Sequence, residues 1–143
     1  GLVKLVDANV LIYAVNTSDP KHEQSRSWLD DALNGQEVVA FTWVVLLAFL
    51  RLTTRIGLLP NPLPVADALA TMQAWLDQPP SVLVGPTERH LGVLRGLLLE
   101  HGTGGNLTSD AHLAALAVEH GATIVTHDAD FDRFTGVRWS RPA

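Results

Sequence analysis

LVDANVLIYAVN, residues 5–16, joins two apolar segments of different period through one aspartate. Residues 2–6 form a short apolar run of strand length, Asp7-Ala-Asn ends it, and residues 10–15 begin a helix. The same succession of strand and helix repeats down the chain. Residues 37–41, 82–84 and 122–126 read as strands, with 137–139 a candidate fifth. Between them, residues 21–33, 43–55, 66–76, 87–101 and 109–120 read as helices. Asp19-Pro20 opens the first of these, since proline suits the first helical position. Asn34-Gly35, Gly57, Pro79-Pro80 and Gly121 stop four of them. Leu91, Val93, Leu94 and Leu98 are the expected inner side of the helix at 87–101. Residues 58–64, with three prolines, are a loop, and residues 102–108 a flexible glycine-rich one without the lysine of a phosphate loop. Alternating strands and helices predict an α/β fold: a mainly parallel sheet of about five strands with helices on both faces.

Length and composition agree with that. A chain of 143 residues, 47% apolar and 17% charged, suits a single domain over 1–143. Gly1 in place of Met points to a trimmed start, and residues 1–6 lack the cleavage pattern of an export peptide. No apolar run reaches the roughly 18 residues of a membrane span. The absence of cysteine excludes disulfides, thiolate metal sites and cysteine nucleophiles, and fits a reducing cytoplasm. A net charge of −5 argues against a protein that coats nucleic acid non-specifically. It leaves a nuclease open, because metal ions neutralise a carboxylate cluster and bridge it to phosphate.

In open parallel sheets, sites form at the carboxyl ends of the strands. Asp7 ends the first strand, Asp128 lies just past the fourth, and Asp110 opens the helix leading into the fourth. The fold rule sends these distant residues to one edge. Magnesium and manganese take oxygen ligands and keep several waters, so a few carboxylates on a rigid frame suit them. Without a cation, clustered aspartates repel and at least one pKa rises. Each residue also has a plainer role: Asp7 as a helix cap, Asp110 in a helix's first turn, and Asp128 and Asp130 in a turn.

The opening LVDANVLIYAVN resembles the start of PIN domains. DAHLAALAVEHGATIVTHDADF, residues 110–131, resembles their C-terminal half, where an aspartate starts a helix and a strand delivers Thr-x-Asp-x-Asp-Phe. Length and order resemble VapC-type toxins of bacterial toxin–antitoxin pairs. The resemblance implies a PIN-like three-layer α/β/α sandwich and an endoribonuclease dependent on Mg²⁺ or Mn²⁺ that cuts structured RNA (tRNA or rRNA). It further implies a homodimer neutralised by a VapB-like antitoxin. By position, Asp7, Asp110 and Asp128 match the acidic catalytic and metal-binding residues, and Asp130 an additional acid near the metal. Asn9 is a candidate contact to a bound water or phosphate, and Thr126 is expected to orient Asp128 through its hydroxyl. The chain departs from the family in one respect: the glutamate usual on the helix at 43–55 falls at Ala48, and residues 41–50 contain no acid.

Arg51 and Arg55, four apart on one helix, are candidate phosphate contacts or solvated charges. His112, roughly 200° around the helix from Asp110, is expected to point away as a surface histidine. His127 is a candidate proton donor or phosphate contact, or an ordinary loop residue. His90, His101 and His120 read as ordinary, and Trp43, Trp75 and Phe49 as core or dimer contacts. The missing acid supports one alternative, a catalytically weakened PIN-like module acting through its protein partner. A receiver domain would want further acids and a late lysine, and none follows Lys21; a phosphatase using Asp-x-Asp would need an acid where Asn9 stands.

Overall fold

The computed structural model describes residues 2–102 and 104–143. Its elements run β1 (Val3–Val6), α1 (Ala8–Val15), α2 (His22–Leu33), β2 (Val38–Phe41), α3 (Trp43–Thr54), α4 (Val65–Leu76), β3 (Ser81–Leu83), α5 (His90–His101), α6 (Thr108–Glu119), β4 (Ala122–Val125) and β5 (Trp139–Ser140). Short 3₁₀ turns lie at Gly105–Leu107 and Ala129–Arg133. The sheet has five strands in the order β3-β2-β1-β4-β5, and every pairing is parallel. The six helices flank it. Successive strand residues face opposite sides, so burial of neighbours shows that both faces are covered. Leu5 and Val6 in β1 are 0% exposed, as is Ile124 beside Val125 at 1% in β4. The expected three-layer α/β/α architecture is therefore what the chain adopts.

The strand order fixes where a site can form. β2 and β3 lie on one side of β1, and β4 and β5 on the other. The chain thus reverses direction across the sheet between β1 and β4, and a crevice opens at their carboxyl ends. Val6 pairs with Val125, so Asp7 and Thr126 emerge side by side, and the Asp7 N–H still donates to the Val125 carbonyl at 3.0 Å.

Local differences from the expectations have identifiable causes. α1 begins at Ala8, two residues early, because Asp7 caps it by accepting from the Ala8 N–H at 2.7 Å. α5 begins only at His90, because Thr87 is tied to Glu119 through both its N–H (2.8 Å) and its hydroxyl (2.5 Å). On the inner side of α5, Val93, Leu94 and Leu98 pack against the core as expected, and one residue needs correction. Leu97 faces the core at 6% exposure, whereas Leu91 is 76% exposed. Several more leucines compete at the margin of this face, so periodicity does not fix it there. α3 ends at Thr54 and Arg55 takes extended backbone, so Arg51 and Arg55 do not share a helical face as expected. Phe49 is core with Trp75 edge-on against it, but Trp43 is half-exposed rather than core. Among the described residues, no helix is long and apolar enough to cross a membrane.

Candidate metal centre

Asp7 is the most constrained carboxylate at the crevice. Its Oδ1 caps α1, while Oδ2 accepts from the Thr126 hydroxyl at 2.8 Å and the Asn9 amide at 3.3 Å. Thr126 is 0% exposed. Besides donating to Asp7, its hydroxyl accepts from Asn9 Nδ2 and from the Asp128 N–H, both at 3.0 Å. One proton donated and two lone pairs filled exhaust a hydroxyl's capacity. The expected hydroxyl bond between Thr126 and Asp128 is present, made to the Asp128 backbone N–H, and the hydroxyl proton goes to a second partner, Asp7. Burial and saturation also exclude Thr126 as a substrate contact. Asn9 is similarly engaged, because its Oδ1 accepts from the His127 N–H at 3.0 Å while its amide bridges Asp7 and Thr126. It braces the loop after β4 against the one after β1, which leaves its amide hydrogens no substrate to bind.

Asp128 caps the Ala129–Arg133 turn through the Asp130 N–H at 2.9 Å. Asp110 lies half-buried in the first turn of α6, where the helix dipole favours an acid. Burial pushes Asp7 above its ordinary carboxylate value; the Thr126 and Ala8 bonds hold it back, and the charge of Asp128 pushes it further up. Burial also raises Asp110, followed by the charges of Asp128 and Asp7, with Arg133 pulling the other way. The three aspartates thus form one electrostatic cluster. They do not close into a cage: among the described residues, no three acidic or imidazole side chains stand in a metal-ligating group. An all-oxygen donor set suits a hard divalent cation that retains waters.

A cavity of about 230 Å³ adjoins the cluster, lined by Asp7, Ala48, Arg51, Ser109 and Asp110 among others. Ala48 thus faces the same space as two of the carboxylates, and Arg51 stands exposed at its rim. Asp130 is more exposed, and its carboxylate pairs with Arg133 at 3.1 Å.

The histidines differ from their expected roles. His127 Nε2 pairs at 2.7 Å with the hydroxyl of Ser25, which is 0% exposed, and the ring meets Tyr13 edge-on. The ring anchors the β4 loop to α1 and α2, so its Nε2 is not free to give a proton to substrate. His112 is no surface histidine: its Nδ1 lies 2.9 Å from His90 Nε2, and His90 Nδ1 in turn bonds to the fully buried Glu119 carboxylate. This chain ties α5 to α6, so His90 is not ordinary either. Sequence reading passed over Ser25, Tyr13, Ser109 and Arg133. Only Arg133 left a signal, as a base three residues after Asp130.

The PIN domain sequence profile matches residues 4–137. Ribonuclease VapC37 of Mycobacterium tuberculosis is 56% identical over 140 residues, covering 98% of this chain and 97% of that protein. Ribonuclease VapC33 of the same species is 41% identical over 136 residues, 95% of each. A chain in the crystal structure of VapBC2 from Rickettsia felis, bound to a fragment of promoter DNA, shares the fold with a TM-score of 0.73 at 14% identity, over 98% of both chains. VapC20 of Mycobacterium tuberculosis, a toxin that cleaves the sarcin–ricin loop, does so with a TM-score of 0.68 at 20% identity, over 94% of this chain and 98% of that one.

Proposed function

The chain belongs to the PIN-domain family, and on that premise we propose that it is the toxin of a type II toxin–antitoxin pair. In this role it is a divalent-metal-dependent endoribonuclease that cleaves structured cellular RNA, tRNA or rRNA, in the cytoplasm. A VapB-like antitoxin neutralises it. The observation that supports this function is the saturated Thr126 hydroxyl, which fixes the Asp7 carboxylate and the Asp128 backbone at the switch point of the sheet. The full-length likeness to ribonucleases of the VapC type supports the substrate class.

Asp7, Asp110 and Asp128 hold the metal, with Asp130 nearby, and Mg²⁺ is the preferred ion because the open site leaves room for its waters. A bound divalent cation polarises the phosphoryl oxygen and lowers the pKa of an attacking water. Thr126 and Asn9 keep Asp7 in one orientation, so little reorganisation remains when substrate arrives. Arg51 binds a phosphate at the cavity rim. The exposed apolar residues Trp43 and Leu47 of α3 and Val65 and Leu69 of α4 are surface for a second copy of the chain or for the antitoxin. An arginine of the antitoxin reaching the acidic cluster would satisfy two carboxylate oxygens at once and compete with the metal.

Ala48 favours a second reading, a weakened nuclease that acts through its partner, because the cavity offers no oxygen at that position. Sequencing RNA 5′ ends after expressing the protein separates the two. Discrete new ends in tRNA or rRNA, absent with Asp128→Asn, are expected of the toxin. An unchanged set of ends would leave the partner-dependent module.

A further inference from the structure

We propose that Arg133 is a substrate-binding residue: its guanidinium, resting on Asp130 in the free protein, takes an RNA phosphate beside the acidic centre. This rests on the ribonuclease assignment above. The protein is acidic, so a polyanion approaching Asp7, Asp110 and Asp128 needs fixed positive charge close by. Arg51 supplies it on the α3 side. On the other side the charge is Arg133, at the end of the turn that Asp128 caps.

The turn holds Arg133 firmly. Phe131 and Phe134 on either side are 1% and 2% exposed, so the backbone is pinned to the core. The Arg133 Nε–H donates to the Asp130 carbonyl at 3.0 Å, and Nη2 meets the Asp130 carboxylate at 3.1 Å. A guanidinium has five N–H donors, and these contacts engage two. The remaining donors match the fork geometry of a phosphate. The ion pair itself is solvated, with side chains 34% and 63% exposed, so it is weak and a phosphate can displace it. The exchange also frees Asp130 at the moment the metal and substrate are both present.

The test measures RNA binding in an Asp7→Asn background, which keeps the probe intact. The probe is a fluorescein-labelled tRNA transcript, read by anisotropy over a NaCl series with Mg²⁺. Arg133→Ala is expected to weaken binding about tenfold and to reduce the slope of log K against log [NaCl] by about one. Arg133→Lys should restore the slope but only part of the affinity, because an ammonium lacks the bidentate fork. In EDTA, Asp130→Asn should tighten binding severalfold when Arg133 is present and clearly less when it is alanine. Calorimetry without RNA, in the protein with Asp7 intact, should give Arg133→Ala a Mg²⁺ affinity equal to or tighter than that of the unsubstituted chain. Unchanged RNA affinity and slope in folded Arg133→Ala would overturn the assignment, as would equal effects of Asp130→Asn in both backgrounds. Weaker Mg²⁺ binding would also overturn it, since Arg133 would then be maintaining the acidic site. Failure of the Asp7→Asn parent to bind the transcript would overturn the assignment of Arg133 to tRNA binding and leave the ribonuclease reading, which rRNA also satisfies, standing. Cleavage that survives Asp7→Asn would refute the catalytic role of Asp7 and leave the Arg133 result standing.

Discussion

Replacing Thr126 by valine keeps the shape of a fully buried side chain and deletes one hydroxyl, which here joins three partners. The bond to the Asp7 carboxylate is charge-assisted, and a bond of that kind contributes about 1.5–3 kcal/mol. The Asp128 N–H loses its acceptor, a further cost of about 1 kcal/mol if water does not replace it. The Asn9 amide still has Asp7, so its loss is small. The sum is about 3 kcal/mol, well within the roughly 5–15 kcal/mol of a typical domain, so the variant stays folded. At an m-value of about 2 kcal/mol/M the urea midpoint should fall by roughly 1.5 M. Function should fall further than stability. The Thr126 bond holds the Asp7 pKa down, so its loss lets burial raise Asp7 more. The variant should then bind Mg²⁺ more weakly at neutral pH and regain affinity as pH rises. Thr126→Ser keeps the hydroxyl and loses one methyl, and should cost about 1 kcal/mol with metal binding intact. A Thr126→Val protein with the urea midpoint and Mg²⁺ affinity of the parent would refute the reasoning, since the hydroxyl would then organise nothing.

Other changes probe the cluster and its supports. Ala48→Glu puts a carboxylate into the cavity shared with Asp7 and Asp110; Mg²⁺ affinity by calorimetry should rise about tenfold while metal-free stability falls, and equal affinities in two folded proteins would place Ala48 away from the metal. Asp110 has a raised folded pKa, so the folded state binds its proton more tightly than the unfolded chain and ionisation costs stability as pH rises through the interval above 3.8. Asp110→Asn should therefore raise stability at pH 7 by up to about 1 kcal/mol, or roughly 3 °C for a half-exposed group, lose that gain below pH 3.8, and abolish cleavage. Glu119 has the opposite sign: burial alone would raise it, but the Thr87 and His90 bonds outweigh that and lower it below 4.5. Its stabilisation is full above the unfolded value and is lost as pH falls through the depressed folded one, so Glu119→Gln should cost about 2 kcal/mol at pH 7, with the difference from the parent vanishing in strong acid.

The alternation of strands and helices was legible because each strand is a short apolar run bounded by Asp, Gly or Pro, and the helices between are long enough to cross from one strand to the next. That Asp7 and the loop carrying Asp128 leave the sheet at one edge followed from the parallel arrangement alone. The face of α5 was legible at Val93, Leu94 and Leu98 but not at its margin, where several more leucines compete and packing against α6 selects Leu97 over Leu91. The hydroxyl and imidazole contacts were hidden for another reason. Thr126 reaches Asp7 across 119 positions and Ser25 reaches His127 across 102. Such pairs depend on strand register and helix docking, which no local pattern records. Thr126 was thus expected to bond Asp128 and does, while its second partner Asp7 was missed; Asn9, expected to meet water or phosphate, braces Asp7 from behind.

The most direct measurement is the position of a Mn²⁺ ion by anomalous diffraction from crystals of the protein soaked in MnCl₂. One peak is expected at the carboxyl ends of β1 and β4, with an Asp7 oxygen and at least one from Asp110 or Asp128 at about 2.0–2.6 Å and water completing the shell. The peak should vanish in Asp7→Asn crystals. A protein that cleaves RNA with Mn²⁺ but binds the ion only elsewhere would contradict the assignment of these three aspartates.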